Sequence, residues 1–109
     1  MNHAVIVEAI RSPMGRAKPD GSLAEVHPVD LLSQVLEQLI RKTGIDPGSV
    51  DDVICGCVSQ AGEQAGTPGR LAWLAAGLPL HVPSTTIDRK CGSSQQAVHF
   101  AAQAIMSGA

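Results

Sequence analysis

An α/β fold with a mainly parallel sheet and crossover helices is predicted for this chain by two observations. Three short apolar runs rich in Val, Ile and Thr, at residues 4–10, 52–59 and 82–88, alternate with three segments of helical character. The second run, Val53-Ile54-Cys55-Gly56-Cys57-Val58, is almost continuously apolar, as in a parallel strand covered on both faces. Such alternation implies right-handed crossovers. At 109 residues and 44% hydrophobic content, the chain is at most one domain, with enough apolar material for a globular core.

Taken in order, residues 4–10 read as a first strand running into the turn Arg11-Ser12-Pro13-Met14-Gly15. Polar and turn-forming residues continue to Pro28, a loop long enough to serve function or assembly. Residues 29–43 place Leu31, Leu32, Val35, Leu36, Leu39 and Ile40 at helical spacing, with Gly44 as the stop. The second strand, 52–59, leads into a glycine-bearing loop, 60–68, and a short helix, 69–77, that Leu78-Pro79 ends. The third strand spans 82–88. A helix at 92–106 follows, apolar on several sides, which predicts burial between layers. The pattern stops at Ser107-Gly108-Ala109, where an α/β alternation would supply another strand, so the domain is expected to be incomplete.

Aromatic residues are 2% of the chain, Trp73 and Phe100, so the core must rest on Ala, Val, Leu and Ile. A formal net charge of −2 with dispersed cations argues against nucleic acid and an anionic membrane as partners. The opening Met1-Asn2-His3 has no basic character, and its apolar run ends at Glu8, too short for a signal peptide or a span. A cytoplasmic location is the expectation. Cys55, Cys57 and Cys91 are odd in number, which favours free thiols over a disulfide framework. Cys55 and Cys57 alternate onto one face of a strand, with no second ligand pair at finger-like spacing. Core cysteines are expected there rather than a metal site or a redox pair, and no metal is assigned.

Cys91 stands apart because it follows the third strand and opens the last helix. Unpaired N–H groups and the positive end of the dipole at a helix start favour a thiolate. Arg89 and Lys90 add adjacent positive charge. From context alone two roles fit Cys91, a nucleophile and a buried structural thiol.

Four stretches in order resemble the thiolase family. Ile10-Arg11-Ser12-Pro13-Met14-Gly15 is similar to the signature after the first thiolase strand. The run from Asp52 to Gly62 resembles the second strand and its glycine loop, and Ala75-Ala76-Gly77-Leu78-Pro79 with Val82-Pro83 the approach to the third. Ile87-Asp88-Arg89-Lys90-Cys91-Gly92-Ser93-Ser94-Gln95-Gln96-Ala97 looks like the nucleophile loop. Asp88 stands where many thiolases carry Asn, and Ser93-Ser94-Gln95 where many carry Ser-Gly-Leu, which points to a branch handling less usual acyl groups. The family's later motifs, with an asparagine-glutamate pair, the activating histidine and a second cysteine, have no counterpart here. The resemblance thus makes residues 1–109 part of a thiolase-like N-terminal domain.

What the resemblance implies is acyl transfer between a 3-oxoacyl-CoA and coenzyme A, with Cys91 as the catalytic nucleophile and its own N–H as an oxyanion donor. Coenzyme A thioesters are then substrates, no resident cofactor is expected, and the full-length protein is a homo-oligomer formed partly through 82–88. The alternative is a truncated chain that is non-catalytic on its own. His27, His81 and His99 lack the context of the family's base. Asp88 and Arg89 are expected to fix the loop, and Ser93 and Ser94 to cap the helix.

Overall fold

The computed structural model describes residues 2–109. Its first helix, α1 (Pro28–Thr43), begins where sequence chemistry says it should. Proline occupies the first turn, where no N–H is needed, and the His27 Nδ1 accepts from the Val29 N–H at 3.1 Å as an N-cap. Asp30 lies in the first turn and Arg41 and Lys42 in the last, matching the helix dipole. Gly44 closes α1 at φ 67°, its N–H bonded to the Ile40 carbonyl at 3.0 Å. A one-turn 3₁₀ segment, Pro47–Ser49, follows, capped by the Asp46 carboxylate on the Gly48 N–H. A second 3₁₀ turn, Gly62–Gln64, lies in the glycine-bearing loop. Both turns are too short to carry a readable periodicity.

Two strands, β1 (Val53–Gly56) and β2 (Ser84–Ile87), pair in parallel with Val53 opposite Ser84 and Gly56 opposite Ile87. The crossover between them carries α2 (Pro68–Ala75), and α3 (Ser93–Ser107) follows β2. Alternation along β1 sets the layers. A Cβ on Gly69 would lie 2.7 Å from the Cys55 Cβ, so α2 packs against the face that Cys55 occupies. A Cβ on Gly56 would lie 2.4 Å from the Ser94 nitrogen, so α3 lies against the opposite face. The α2 side holds the best-packed core: Trp73 is 2% exposed and Val82 fully buried. The Trp73 indole N–H donates to the Pro79 carbonyl at 2.8 Å, and Arg70 donates to the Val82 and Leu80 carbonyls at 2.6 and 2.8 Å.

The sheet is smaller than the sequence predicts. Residues 4–10 form no strand, make no backbone hydrogen bond to another segment, and leave Val5, Ile6 and Val7 75–79% exposed. Apolar pattern makes a segment competent for a ladder, but pairing needs a partner edge, which local sequence does not specify. Glu8 still ties this segment to α1 through an ion pair with Lys42 at 3.6 Å. The α3 helix also departs from expectation. Only Ser93 and Ala97 are buried along it, while Val98, Phe100, Ile105 and Met106 are exposed. Two strands cover one side of such a helix, and its other apolar sides meet no second layer among the described residues.

Candidate active site

The site is built on the joint between β2 and α3. The parallel ladder ends with the Cys57 N–H donating to the Ile87 carbonyl at 2.9 Å, and the chain then turns through Asp88-Arg89-Lys90 to Cys91. Lys90 sits at φ 48°, in the left-handed region that costs an ordinary L-residue about 1–2 kcal/mol. Three side-chain hydrogen bonds hold it there. The Asp88 Oδ1 accepts from the Lys90 N–H at 2.8 Å. The Ser93 hydroxyl accepts from the Arg89 N–H at 2.8 Å and donates to the Lys90 carbonyl at 2.6 Å. With each such bond worth about 0.5–1.5 kcal/mol net, the set is enough to offset the strained turn.

The backbone donors here sort into used and free. The N–H groups of Gly92 and Ser93 bond back to the carbonyls of Arg89 and Lys90 at 3.0 and 3.1 Å, and that of Gln96 to Gly92. Those of Cys91, Ser94 and Gln95 have no partner among the described residues. Cys91, exposed and free, therefore opens a helix whose first donors are partly uncommitted. Close approach of α3 to β1 is what fixes this start, and Gly56 allows it: a Cβ there would lie 2.5 Å from the Ser93 carbonyl carbon. Gly56 is a site residue that the sequence reading missed, although an isolated glycine within a strand signals such an approach.

The other thiols have a different environment. Cys55 is half-buried between β1 and α2, and burial pushes its thiol above the usual range, the neighbouring Cys57 adding to the effect. Cys57 accepts from the Gln64 side-chain amide at 3.6 Å. Both are free. A half-buried thiol held neutral suits the packing role expected for Cys55.

The remaining candidates are distributed as follows. Asp88 does fix the loop, and the Lys90 N–H, then the Lys90 charge, hold its carboxyl below the ordinary value. It also forms an exposed ion pair with Lys90 at 3.4 Å. Arg89 instead donates to the Gln96 amide oxygen at 3.0 Å. Ser93 does not cap α3, because Gly92 occupies the N-cap without a side-chain bond, and the hydroxyl turns back to Arg89 and Lys90. His27 caps α1, and His81 Nε2 pairs with the Gly48 carbonyl at 2.9 Å. His99, expected inside a buried helix, is exposed on α3. Two clefts flank the helix start. An apolar one of about 490 Å³ includes Leu32, Leu36, Gly56 and Ser94, and a polar one of about 310 Å³ includes Arg89, Gln95 and His99.

This strand, left-handed turn, cysteine and helix fall within a match to the thiolase N-terminal domain that covers residues 4–109. The chain belongs to the thiolase family. It is 55% identical over 108 residues to a steroid 3-ketoacyl-CoA thiolase of Mycobacterium tuberculosis, covering 99% of this chain and 26% of that protein. It is 47% identical over 110 residues to a 3-ketoacyl-CoA thiolase of Pseudoalteromonas translucida, with 100% and 28% covered. Among solved structures, an acetyl-CoA acetyltransferase of Bacillus anthracis superposes with a TM-score of 0.88 at 40% identity, covering 99% of this chain and 27% of that one. This thiolase chain therefore spans about a quarter of the length of the relatives it matches. No helix among the described residues is long and apolar enough to cross a membrane.

Proposed function

We propose that this chain carries the nucleophile of a thiolase that moves acyl groups between a 3-oxoacyl-CoA and coenzyme A. The observation that supports this most is the placement of Cys91, exposed after a strained turn at the start of α3, within the family match. In the forward step the Cys91 thiol gives its proton to a base and the thiolate attacks the 3-keto carbon. The oxyanion formed collapses and the bond between C2 and C3 breaks. The two-carbon unit leaves as the acetyl-CoA enolate and takes up a proton, while the acyl group stays on Cys91 as a thioester. Coenzyme A then attacks that thioester, releasing the shortened acyl-CoA and the free thiol. The sequence is redox-neutral and uses no resident cofactor.

The uncommitted Cys91 N–H is the one oxyanion donor this chain offers in that scheme. The base and the enolate's acid are assigned to the three-quarters of the family length beyond the match. His27 and His81 are engaged elsewhere, and His99 lies two turns along α3. The substrate class is kept at 3-oxoacyl-CoA, because the names of the two thiolase relatives differ in acyl group, steroid in one and unspecified in the other. Homo-oligomerisation and a cytoplasmic location belong to the same proposal.

A second reading is that these 109 residues are non-catalytic by themselves, favoured by the short span of the relatives and the exposed apolar sides of α3. One experiment separates the two. The folded chain is incubated with acetyl-CoA and its cysteine peptides are analysed by mass spectrometry. A hydroxylamine-sensitive acetyl thioester on Cys91, absent in Cys91→Ala, supports the first reading for the chain itself. A folded chain with no adduct, or with adducts on Cys55 or Cys57 instead, would leave only the second reading.

A further inference from the structure

Ser93 is the one buried polar residue of the molecule's described part, 4% exposed, and its hydroxyl is spent entirely on the turn before it. It accepts from the Arg89 N–H and donates to the Lys90 carbonyl, so a single oxygen brackets the left-handed residue from the N–H of the residue before it to its own carbonyl. Asp88 holds the Lys90 N–H and pairs with its ammonium group, from the solvent side. The Ser93 backbone is in turn pressed against Gly56 of β1, which ties the hydroxyl to the sheet rather than to a mobile loop. The chain direction at Cys91 thus depends on Lys90 staying at positive φ, and the buried side chain that holds it there is that of Ser93, acting beside the backbone bonds to the Arg89 and Lys90 carbonyls.

We propose that Ser93 is a positioning residue, whose hydroxyl fixes the Lys90 turn and so keeps the Cys91 thiol at the start of α3. This rests on the assignment of Cys91 as nucleophile, but its test reads thiol chemistry and not acyl transfer. Without the hydroxyl, Lys90 relaxes to negative φ and Cys91 leaves its place beside the free donors of the helix start.

The test is the rate at which iodoacetamide alkylates each cysteine of the 109-residue chain near neutral pH, the sulfur displacing iodide. Ser93→Ala is expected to slow Cys91 by more than about twofold, because the thiol leaves its place at the start of α3. Cys55, Cys57 and the fluorescence of Trp73, the single tryptophan, stay as in the parent. Adding Lys90→Gly to Ser93→Ala restores the Cys91 rate, because glycine holds positive φ without a clamp. A purely structural serine would not be rescued in this way. The proposal is overturned if Ser93→Ala leaves Cys91 within about twofold of the parent, if all three thiols change together, or if the glycine does not restore the rate. Should Ser93→Ala fail to fold, amide exchange in the parent chain decides. The Arg89 N–H, bonded to Ser93, must exchange more slowly than the partnerless Cys91 N–H, and equal rates would sink the idea.

Discussion

Two joints in this molecule use the same backbone device and reach opposite ends. Before α2, Thr67 sits at φ 62° and ψ 74°; before α3, Lys90 sits at φ 48°. Neither helix start has a side-chain N-cap. At α2 the next residues, Pro68 and Gly69, are buried, the N–H groups of Arg70 and Leu71 return to the Thr67 carbonyl, and the helix start vanishes into the core. At α3 the strained residue is fastened by Asp88 and Ser93, and the residue after it is an exposed thiol beside uncommitted donors. A positive φ is therefore no mark of function in itself. What separates the joints is exposure: one buries its helix start in the core, the other leaves three N–H groups uncommitted beside an exposed thiol.

The comparison breaks most directly at the buried joint. Trp73→Ala removes the largest side chain of the α2 core and the indole bond to Pro79, and should cost about 3–5 kcal/mol in urea unfolding followed by circular dichroism. A loss under about 1 kcal/mol would mean that α2 is not the anchor of this fold. Next comes Gly56→Ala. Its methyl group would lie 2.4 Å from the Ser94 nitrogen, a backbone atom that cannot swing aside, so α3 must move off β1. Destabilisation of about 1–3 kcal/mol is expected, together with a changed alkylation rate at Cys91 and an unchanged one at Cys55, which lies on the other face.

How much of this was readable beforehand follows from how local each signal is. Leu31, Leu32, Val35, Leu36, Leu39 and Ile40 announced α1 because helical periodicity sits within one segment, and Gly44 marked its end at the residue observed. The Cys91 context was readable for the same reason, strand and helix being adjacent in sequence. Residues 4–10 were not, since an apolar run carries no information about whether an edge is available to pair with it. Burial of α3 failed likewise: Val98, Phe100 and Ile105 record how apolar the helix is, and only a second layer decides whether they are covered. Ser93 was read as a cap from its position, but its partners are determined by the φ of Lys90, which no residue type announces. The 3₁₀ turn at Pro47–Ser49 did have a signal, an Asp followed by a Pro, although three residues are too few to show a periodicity.

The two joints are sharpened by relieving each in turn. Thr67→Gly and Lys90→Gly both remove the cost of a side chain at positive φ, at the expense of glycine's greater freedom in the unfolded chain, for a net gain of about 0.5–1 kcal/mol. Thr67 should gain more, because a β-branched residue is less at ease there and no side-chain bond compensates it. Lys90 should gain less, since Asp88 and Ser93 already offset its strain. The reverse order in urea midpoints would mean that the three bonds around Lys90 contribute little.

The smallest effect concerns pH at the open joint. The Asp88 carboxyl is held below its ordinary value, chiefly by the Lys90 N–H and then by the Lys90 charge, so the folded chain binds its proton less readily than the unfolded one. The stabilisation of the turn is accordingly present above the ordinary carboxylate pKa, about 3.9, and is lost as pH falls through the lower folded value. Exposure to solvent and salt keeps it small. Amide exchange at Lys90 should lose protection, beyond the intrinsic pH dependence of exchange, over that acidic window. Asp88→Asn retains an oxygen acceptor for the Lys90 N–H but cannot titrate, so it should remove the acidic transition without opening the turn at neutral pH. If Asp88→Asn opens the turn at neutral pH as well, the carboxylate's charge, and not the hydrogen bond it accepts, is what holds Lys90. Asparagine is also the residue that many thiolases carry at this position, so the outcome says whether the aspartate in this chain makes the turn before Cys91 sensitive to acid.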